Sequence, residues 1–477
     1  MTRAQAIANA EAYYDSGAFE ADLARRVAIP SESQNPARRA ELARYLTAEI
    51  GPSLEALGFT CRLFATPVAD TPFLYAERIE HPERVTVLSY GHGDVIRGLG
   101  SQWRDGLDPW RLKREDDRLY GRGTADNKGQ HTVNIGALAA VIRTRGRLGF
   151  NLKLLLETGE EVGSPGLREF CRQNGELLRA DVLIASDGPR LAARRPTIFL
   201  GSRGALNFDM VVDLREGAHH SGNWGGLLAN PGIILAHALA TITTANGSIR
   251  VREWKPESLP HAVRAALADC TVESEVGGPA IDPTWGEPGL TPAEKVYGWS
   301  SFEVLAFRTG NPDNPVNAIP PRAEAHCQLR YVVGVDPNNI VPALRRHLDR
   351  HGFTMVQVKA ARDGFFAATR LDPDDAWVKW TVASLQATCG MKPAVLPNLG
   401  GSLPNDAFAD VLGLPTIWIP HSYAGCSQHA PDEHMLGSIA REGLRLMAGL
   451  FWDLGEPDHI PPHASAPADP ARAFTKT

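Results

Sequence analysis

The chain has 477 residues, too many for one ordinary core, so two domains are expected, and it is long enough to bury a large interior without covalent staples. Hydrophobic residues at 43% and charged residues at 22% are the proportions of a globular protein. Lys+Arg 49 against Asp+Glu 55 leaves a net charge of -6 with no long basic block, which argues against a nucleic-acid partner. The six cysteines are scattered with no Cys-x-x-Cys spacing, so buried reduced thiols are expected rather than a thiolate metal site. No run of 18 apolar residues predicts a membrane span, and the first residues carry no apolar signal core. A cytoplasmic, reducing location is the expectation.

In chain order, residues 4–27 and 36–57 have the periodicity of amphipathic helices, broken between them by Ile29-Pro30-Ser31. Residues 59–65 and 73–78 read as strands, and 85–90 as a buried one that ends in Gly91-His92-Gly93-Asp94. His92 and Asp94, two apart on an extended chain, share a side, so Asp94 is placed to orient the imidazole. The glycine-rich turn 121–129 then opens an apolar helix reaching about residue 144. Its alternative reading is a phosphate loop, but it lacks both the third glycine of the dinucleotide fingerprint and a Gly-Lys-Ser/Thr ending. Asp126 in that turn is the better carboxylate ligand.

The stretch from Leu154 to Ser164 is the centre of the chain. An apolar strand runs into the adjacent carboxylates Glu160 and Glu161 and stops at a small-residue turn. The two acids point in different directions, so one can hold a cation while the other faces the space beside it. A helix over 166–178 and a strand over 181–186, capped by Asp187, follow. Strands alternating with helices describe a parallel sheet, and ligands of such sheets sit at the carboxyl ends of the strands. His92, Asp126, Glu160, Glu161 and Asp187 are therefore predicted along one sheet edge.

From about residue 200 the pattern changes. Strands at 206–213, 301–307, 323–333 and 354–358, with helices at 230–243 and 337–350, describe an inserted α+β unit with an antiparallel sheet, and 276–298 reads as a long loop within it. Beyond about 372 the α/β pattern returns, with a helix to 388, strands near 394 and at 414–419, and a helix over 436–452. The Pro/Ala-rich tail 457–477 is expected to be disordered or a surface arm, and no internal repeat is present. These changes divide the chain into 1–199, an inserted 200–367, and 368–477.

Carboxylates gathered with an imidazole at one edge raise each other's pKa, as like charges in a shared cavity do, unless cations neutralise them. His429, after the last strand, adds a further nitrogen donor. A mixed His and carboxylate set without thiolate suits zinc, with manganese or cobalt possible on the same donors.

Gly91-His92-Gly93-Asp94-Val95, the turn around Asp126, Glu160-Glu161, Ser186-Asp187-Gly188 and His429-Ala-Pro-Asp-Glu433, in this order, resemble the co-catalytic dizinc peptidases that include aminoacylase and glutamate carboxypeptidase. His219-His220-Ser221-Gly222, Asn317-Ala-Ile-Pro320 and Cys327-Gln-Leu-Arg330 are more similar still to the carnosinase and cytosolic non-specific dipeptidase branch. The resemblance implies a phosphorylase/hydrolase-like catalytic domain with a ferredoxin-like inserted lid that also dimerises. It implies two Zn2+ per subunit, one held by His92 and Asp187, the other by Glu161 and His429, with Asp126 bridging. Glu160 would be the general base for a metal-bridging hydroxide, and the substrate a dipeptide or related N-acyl amino acid. His220 would reach the site from the partner subunit of a homodimer and stabilise the oxyanion. Arg330, with Asn317, Gly400, Gly401 and Ser402, would bind the substrate, the arginine gripping its carboxylate.

Leu403-Pro404-Asn405-Asp406 departs from the branch's Ser/Thr-Ile-Pro and leans toward an acylase or carboxypeptidase on the same fold. An inactive metal-dependent binding protein is the other alternative, against which the retention of Glu160, Asp94 and His220 together argues.

Overall fold

A computed structural model describes residues 1–66, 70–272, 279–360, 366–456 and 460–461. Taken in order, the chain lays down β1 (Thr60–Phe64), β2 (Phe73–Arg78), β3 (Thr86–His92), β4 (Asn151–Glu157), β5 (Val182–Ala185) and β6 (Thr197–Phe199). It then builds β7 (Gly204–Asp213), β8 (Ser301–Thr309), β9 (Arg322–Tyr331) and β10 (Gln357–Ala360), and returns with β11 (Ala394–Leu396) and β12 (Thr416–Trp418).

The large sheet has eight strands in the order β1-β2-β4-β3-β5-β12-β6-β11. Its centre is parallel, with β3 beside β4 and β5 and β5 beside β12, while β1 and β2 add an antiparallel edge. The apolar runs of the central strands are continuous because both faces are covered. Leu152, Leu154 and Leu156 of β4 enter one core with the helices Arg3–Asp15, Lys128–Arg145 and Gly437–Leu454, and Leu155 enters the other. In β5 the same alternation sends Val182 and Ile184 one way and Leu183 and Ala185 the other.

The second sheet, in the order β8-β9-β7-β10, is wholly antiparallel. Phe208, Met210 and Val212 of β7 and Ala323, Ala325, Cys327 and Leu329 of β9 point to one side, where Leu235 and Ala238 of the helix Pro231–Ile242 and Leu344 and Leu348 of Ile340–Arg350 close a separate core. The βαββαβ order is ferredoxin-like, as the resemblance implies.

Several boundaries differ from expectation. The predicted helix 4–27 is two helices, Arg3–Asp15 and Ala18–Val27, separated at Gly17 with φ +80°. Residues 36–57 form a series of short helical turns, one of them wide, Tyr45–Ile50. The helix expected over 166–178 is broken at Asn174, and the strand expected at 354–358 lies at Gln357–Ala360. The loop expected over 276–298 contains the helix Pro292–Tyr297, fixed by a reciprocal Thr291/Glu294 capping box. It also packs elsewhere than expected, since Ala293, together with Val263, Leu267 and Cys270, belongs to the core of the large sheet. The tail 457–477 lies outside the described residues except for 460 and 461. No helix among the described residues is long and apolar enough to cross a membrane.

Candidate metal centre

Strand β3 ends at His92, and β4 at Glu157, its partner across the ladder. The next residues turn above the carboxyl end of the sheet, and Glu160 and Glu161 open a single helical turn, Glu160–Val162. Gly93 is required where β3 leaves the sheet, because a Cβ there would lie 2.4 Å from Cδ1 of Tyr45. In the turn 121–129, a Cβ on Gly129 would lie 1.9 Å from the Thr124 carbonyl oxygen, so only glycine lets the loop close onto the helix it starts.

Two donor sets converge here, His92/Asp126/Asp187 and Asp126/Glu161/His429, each with its ligand atoms within 4.8 Å of one another, and Asp126 belongs to both. His92 Nε2 is 2.8 Å from Asp126 Oδ1 and 3.7 Å from Asp187 Oδ2. His429 Nε2 is 3.1 Å from Asp126 Oδ2 and 3.0 Å from Glu161 Oε2. Its loop adopts left-handed backbone at three non-glycine residues, Ser427, His429 and Asp432, a cost of about 1–3 kcal/mol each that the surroundings must offset. His92 Nδ1 lies 3.4 Å from Asp94 Oδ1, and the same carboxylate accepts the backbone N–H groups of Glu160 at 3.2 Å and Glu161 at 3.1 Å.

The electrostatics are those of an acid cluster in want of positive charge. Burial, then Asp126, pushes Glu161 up to about 7 and Asp187 up to about 6. Burial raises Glu160 well above the ordinary carboxyl range; His92 opposes this, while Glu161, Asp187 and Asp126 reinforce it. Against the effect of burial, hydrogen bonds from His429 and His92 hold Asp126 low. The hydrogen bonds of His429 to Asp126 and to Glu161 lift its own pKa to about 11. Asp187 Oδ2 is buried with no hydrogen-bond partner among the described residues, which polar oxygens avoid at a cost of about 1–3 kcal/mol. An orphaned oxygen beside a shared carboxylate, in a set of nitrogen and oxygen donors, fits divalent cations.

Asp126, Glu160, Glu161, Asp187 and His429 line a cleft of about 1160 Å3. Arg330, Gly400, Gly401 and Ser402 line it too, with Arg330 Nη1 donating to Ser402 Oγ at 2.9 Å. Neither Arg330 nor the buried Arg203, whose Nε donates to the Gly400 carbonyl at 2.8 Å, has an ion-pair partner among the described residues. His220 and Asn317 are not brought to this cleft. They sit together on the lid, where His220 pairs with Ala318 and the Asn317 carbonyl accepts the Ser221 N–H at 2.9 Å.

Sequence reasoning gave no role to Gln428, which donates to Asp126 Oδ2, or to Glu433. The Glu433 carboxylate gathers the N–H groups of Gly123, Ala125 and Asp126 and an ion pair of 2.7 Å from buried Arg122, and so fixes the loop carrying Asp126. Its spacing four residues after His429 was the available signal. Asn405 and Asp406, the departure from the branch pattern, are structural: Asn405 bonds Thr369, Thr416 and Trp418, and Asp406 pairs with Arg168.

An α/β sheet with paired His/carboxylate sets at its carboxyl edge and an inserted lid defines a metal-dependent hydrolase. The chain belongs to Peptidase family M20/M25/M40, whose model matches residues 88–453. It is 32% identical to the Beta-Ala-His dipeptidase of Homo sapiens over 413 residues, covering 81% of this chain and 78% of that protein. It is 27% identical to the Cys-Gly metallodipeptidase DUG1 of Saccharomyces cerevisiae, over 91% of this chain and 94% of the relative. Among solved structures, human carnosine dipeptidase 1 has the same fold, with a TM-score of 0.76 and 23% identity over 94% of this chain and 99% of that one. The metallo-carboxypeptidase Sso-CP2 of Sulfolobus solfataricus gives a TM-score of 0.77 and 25% identity, covering 92% of this chain and 99% of that chain.

Proposed function

We propose that this protein hydrolyses the peptide bond of dipeptides, with two divalent cations, zinc first and manganese or cobalt as substitutes, held by His92, Asp126 and Asp187 and by Asp126, Glu161 and His429. The observation that carries this reading is the sharing of Asp126 by two donor sets with Glu160 lining the same cleft. When bound, such ions polarise an amide carbonyl and acidify a water so that it can attack near neutral pH.

Glu160 moves the proton. As the carboxylate it takes a proton from the attacking water and passes it to the leaving amine nitrogen. Asp94 fixes both His92 and the turn that presents Glu160. Arg330 and Ser402, with the backbone of Gly400 and Gly401, hold the substrate's carboxylate, and the lack of an acidic partner for Arg330 among the described residues supports that role. The dipeptidase reading is preferred over an acylase or carboxypeptidase because the two curated relatives named above, each matched over most of the chain, are dipeptidases and Asn405 and Asp406 serve packing.

The proposal extends to a homodimer in which His220 of one copy donates to the oxyanion in the other, with Asn317 beside it. It is supported by the position of His220 away from its own cleft and by an exposed apolar lid surface, including Ile233 at 60%, Leu305 at 59% and Val316 at 69% exposed. The catalytic unit is taken as 1–199 with 368–477, and the inserted segment that carries the lid as 200–367. All six cysteines are free thiols, which supports a reducing, cytoplasmic setting.

Purified protein loaded with Zn2+, Mn2+ or Co2+ should cleave free dipeptides faster than the matching N-acetyl amino acids; the reverse order would replace the dipeptidase reading by an acylase. Glu160→Ala should lower kcat by about 10²–10⁴-fold with metal content intact, and retained turnover would remove the base from Glu160.

A further inference from the structure

Part of the inserted segment leaves the lid. Residues 259–272 and the helix Pro292–Tyr297 pack on the large sheet's core through Val263, Leu267, Cys270 and Ala293. Asp269 ties this excursion to the catalytic side through Arg195 at 3.1 Å and Lys392 at 3.2 Å. The excursion supplies one wall of the cleft, and none of its described lining residues is charged. That wall touches the turn assigned to the substrate carboxylate: a Cβ built on Gly400 would lie 3.0 Å from Cγ1 of Val296 and 3.6 Å from Cε1 of Tyr297. Ile281, 46% exposed, lines the same cleft, and Leu396, Leu399 and Phe199 of the sheet continue the apolar surface. The lid's β7 and β9 bring Ala205 and Leu206 to the cleft together with a polar row, in which Arg330 Nε donates to Gln328 Oε1 at 3.1 Å and Gln328 Nε2 to Asn207 Oδ1 at 2.9 Å.

A substrate whose carboxylate is held by Arg330 and the Gly400 to Ser402 turn has its C-terminal side chain on the very next carbon. That side chain cannot lie far from the same turn, and the wall that the excursion packs on the turn is apolar. We infer that Ile281, Val296 and Tyr297 determine specificity by selecting dipeptides with a large apolar C-terminal residue, of the leucine, methionine or phenylalanine class. The inference rests on the dipeptidase reading for the placement of the carboxylate. A glycine leaves the wall wetted, and an aspartate forces an unpaired charge against it.

The test is kcat/KM of the metal-loaded protein on Ala-Leu, Ala-Gly and Ala-Asp. Ala-Leu should exceed Ala-Gly by at least about tenfold, with Ala-Asp lowest. Ile281→Asn and Val296→Thr should each narrow the Ala-Leu to Ala-Gly ratio, with melting temperature and metal content showing that the fold is kept. A ratio near one, or a ratio unmoved in both variants, overturns the inference and leaves the dipeptidase reading standing. If the loaded protein cleaves no dipeptide, the dipeptidase reading falls; the wall is then judged by N-acetyl-Leu against N-acetyl-Gly, where a preference for leucine upholds it and equal or absent turnover overturns it.

Discussion

The Asp94 carboxylate accepts the backbone N–H groups of both Glu160 and Glu161 while one of its oxygens faces His92 Nδ1. One buried acid thereby sets a ligand from β3 and the turn after β4 in a single geometry. Asp94→Asn keeps the shape but puts an N–H2 against one of the two donors. Metal affinity should fall by about 10–100-fold, read from titration with a chelating indicator.

The shared position of Asp126 predicts the stoichiometry. Metal analysis should give two ions per chain for the wild type, about one for Asp187→Ala or His429→Ala, and none for Asp126→Ala. Chelation should abolish turnover and lower the melting temperature, because ions bound only by the folded chain stabilise it.

His220 lies outside its own cleft, so the proposed site is completed by a second copy. Glu160→Ala and His220→Ala proteins should each be nearly inactive. Mixed in equal amounts and allowed to exchange, they should regain about a quarter of wild-type activity, since half of the dimers are mixed and each mixed dimer holds one intact site. No recovery would count against sharing.

Arg122 and Glu433 are each 1% exposed and paired at 2.7 Å. Glu433→Ala leaves a buried guanidinium without its partner and frees three backbone N–H groups, which should cost about 3–5 kcal/mol in denaturant unfolding. An Arg122→Met/Glu433→Leu double variant should recover part of that loss.

Burial, with Arg190 adding to it, holds His421 well below its usual 6.5. Below pH 6.5 the unfolded chain binds a proton that the folded chain refuses, so this contribution is complete above pH 6.5 and is lost as pH falls. His421→Gln should flatten the fall in stability as pH drops below 6.5, where the slope from one proton approaches about 1.4 kcal/mol per pH unit, measured by urea unfolding at each pH from 7 to 5.

Strand ends and their polar residues were legible because buried parallel strands are unbroken apolar runs, and a polar pair after such a run has to lie at the sheet edge. That reasoning reached His92, Asp126, Glu160, Glu161 and Asp187, which the structure brings to one edge. Helix ends were less legible: Gly17 and Asn174 break amphipathic patterns that continue on either side, and periodicity does not register a single left-handed residue or an ill-fitting turn. The excursion through Val263 and Ala293 was missed because an apolar residue in a Gly/Pro-rich stretch does not say which of two cores it will join.

By itself the sequence determined the element types, the order of the motifs and the donor chemistry, since these follow from local periodicity and residue type. Only the tertiary structure decided that Asp126 lies between His92 and His429, that Asp94 serves two elements at once, and that part of the insertion walls the cleft. Those are distances between residues far apart in the chain, fixed by how the sheets and cores pack, and no local pattern encodes them.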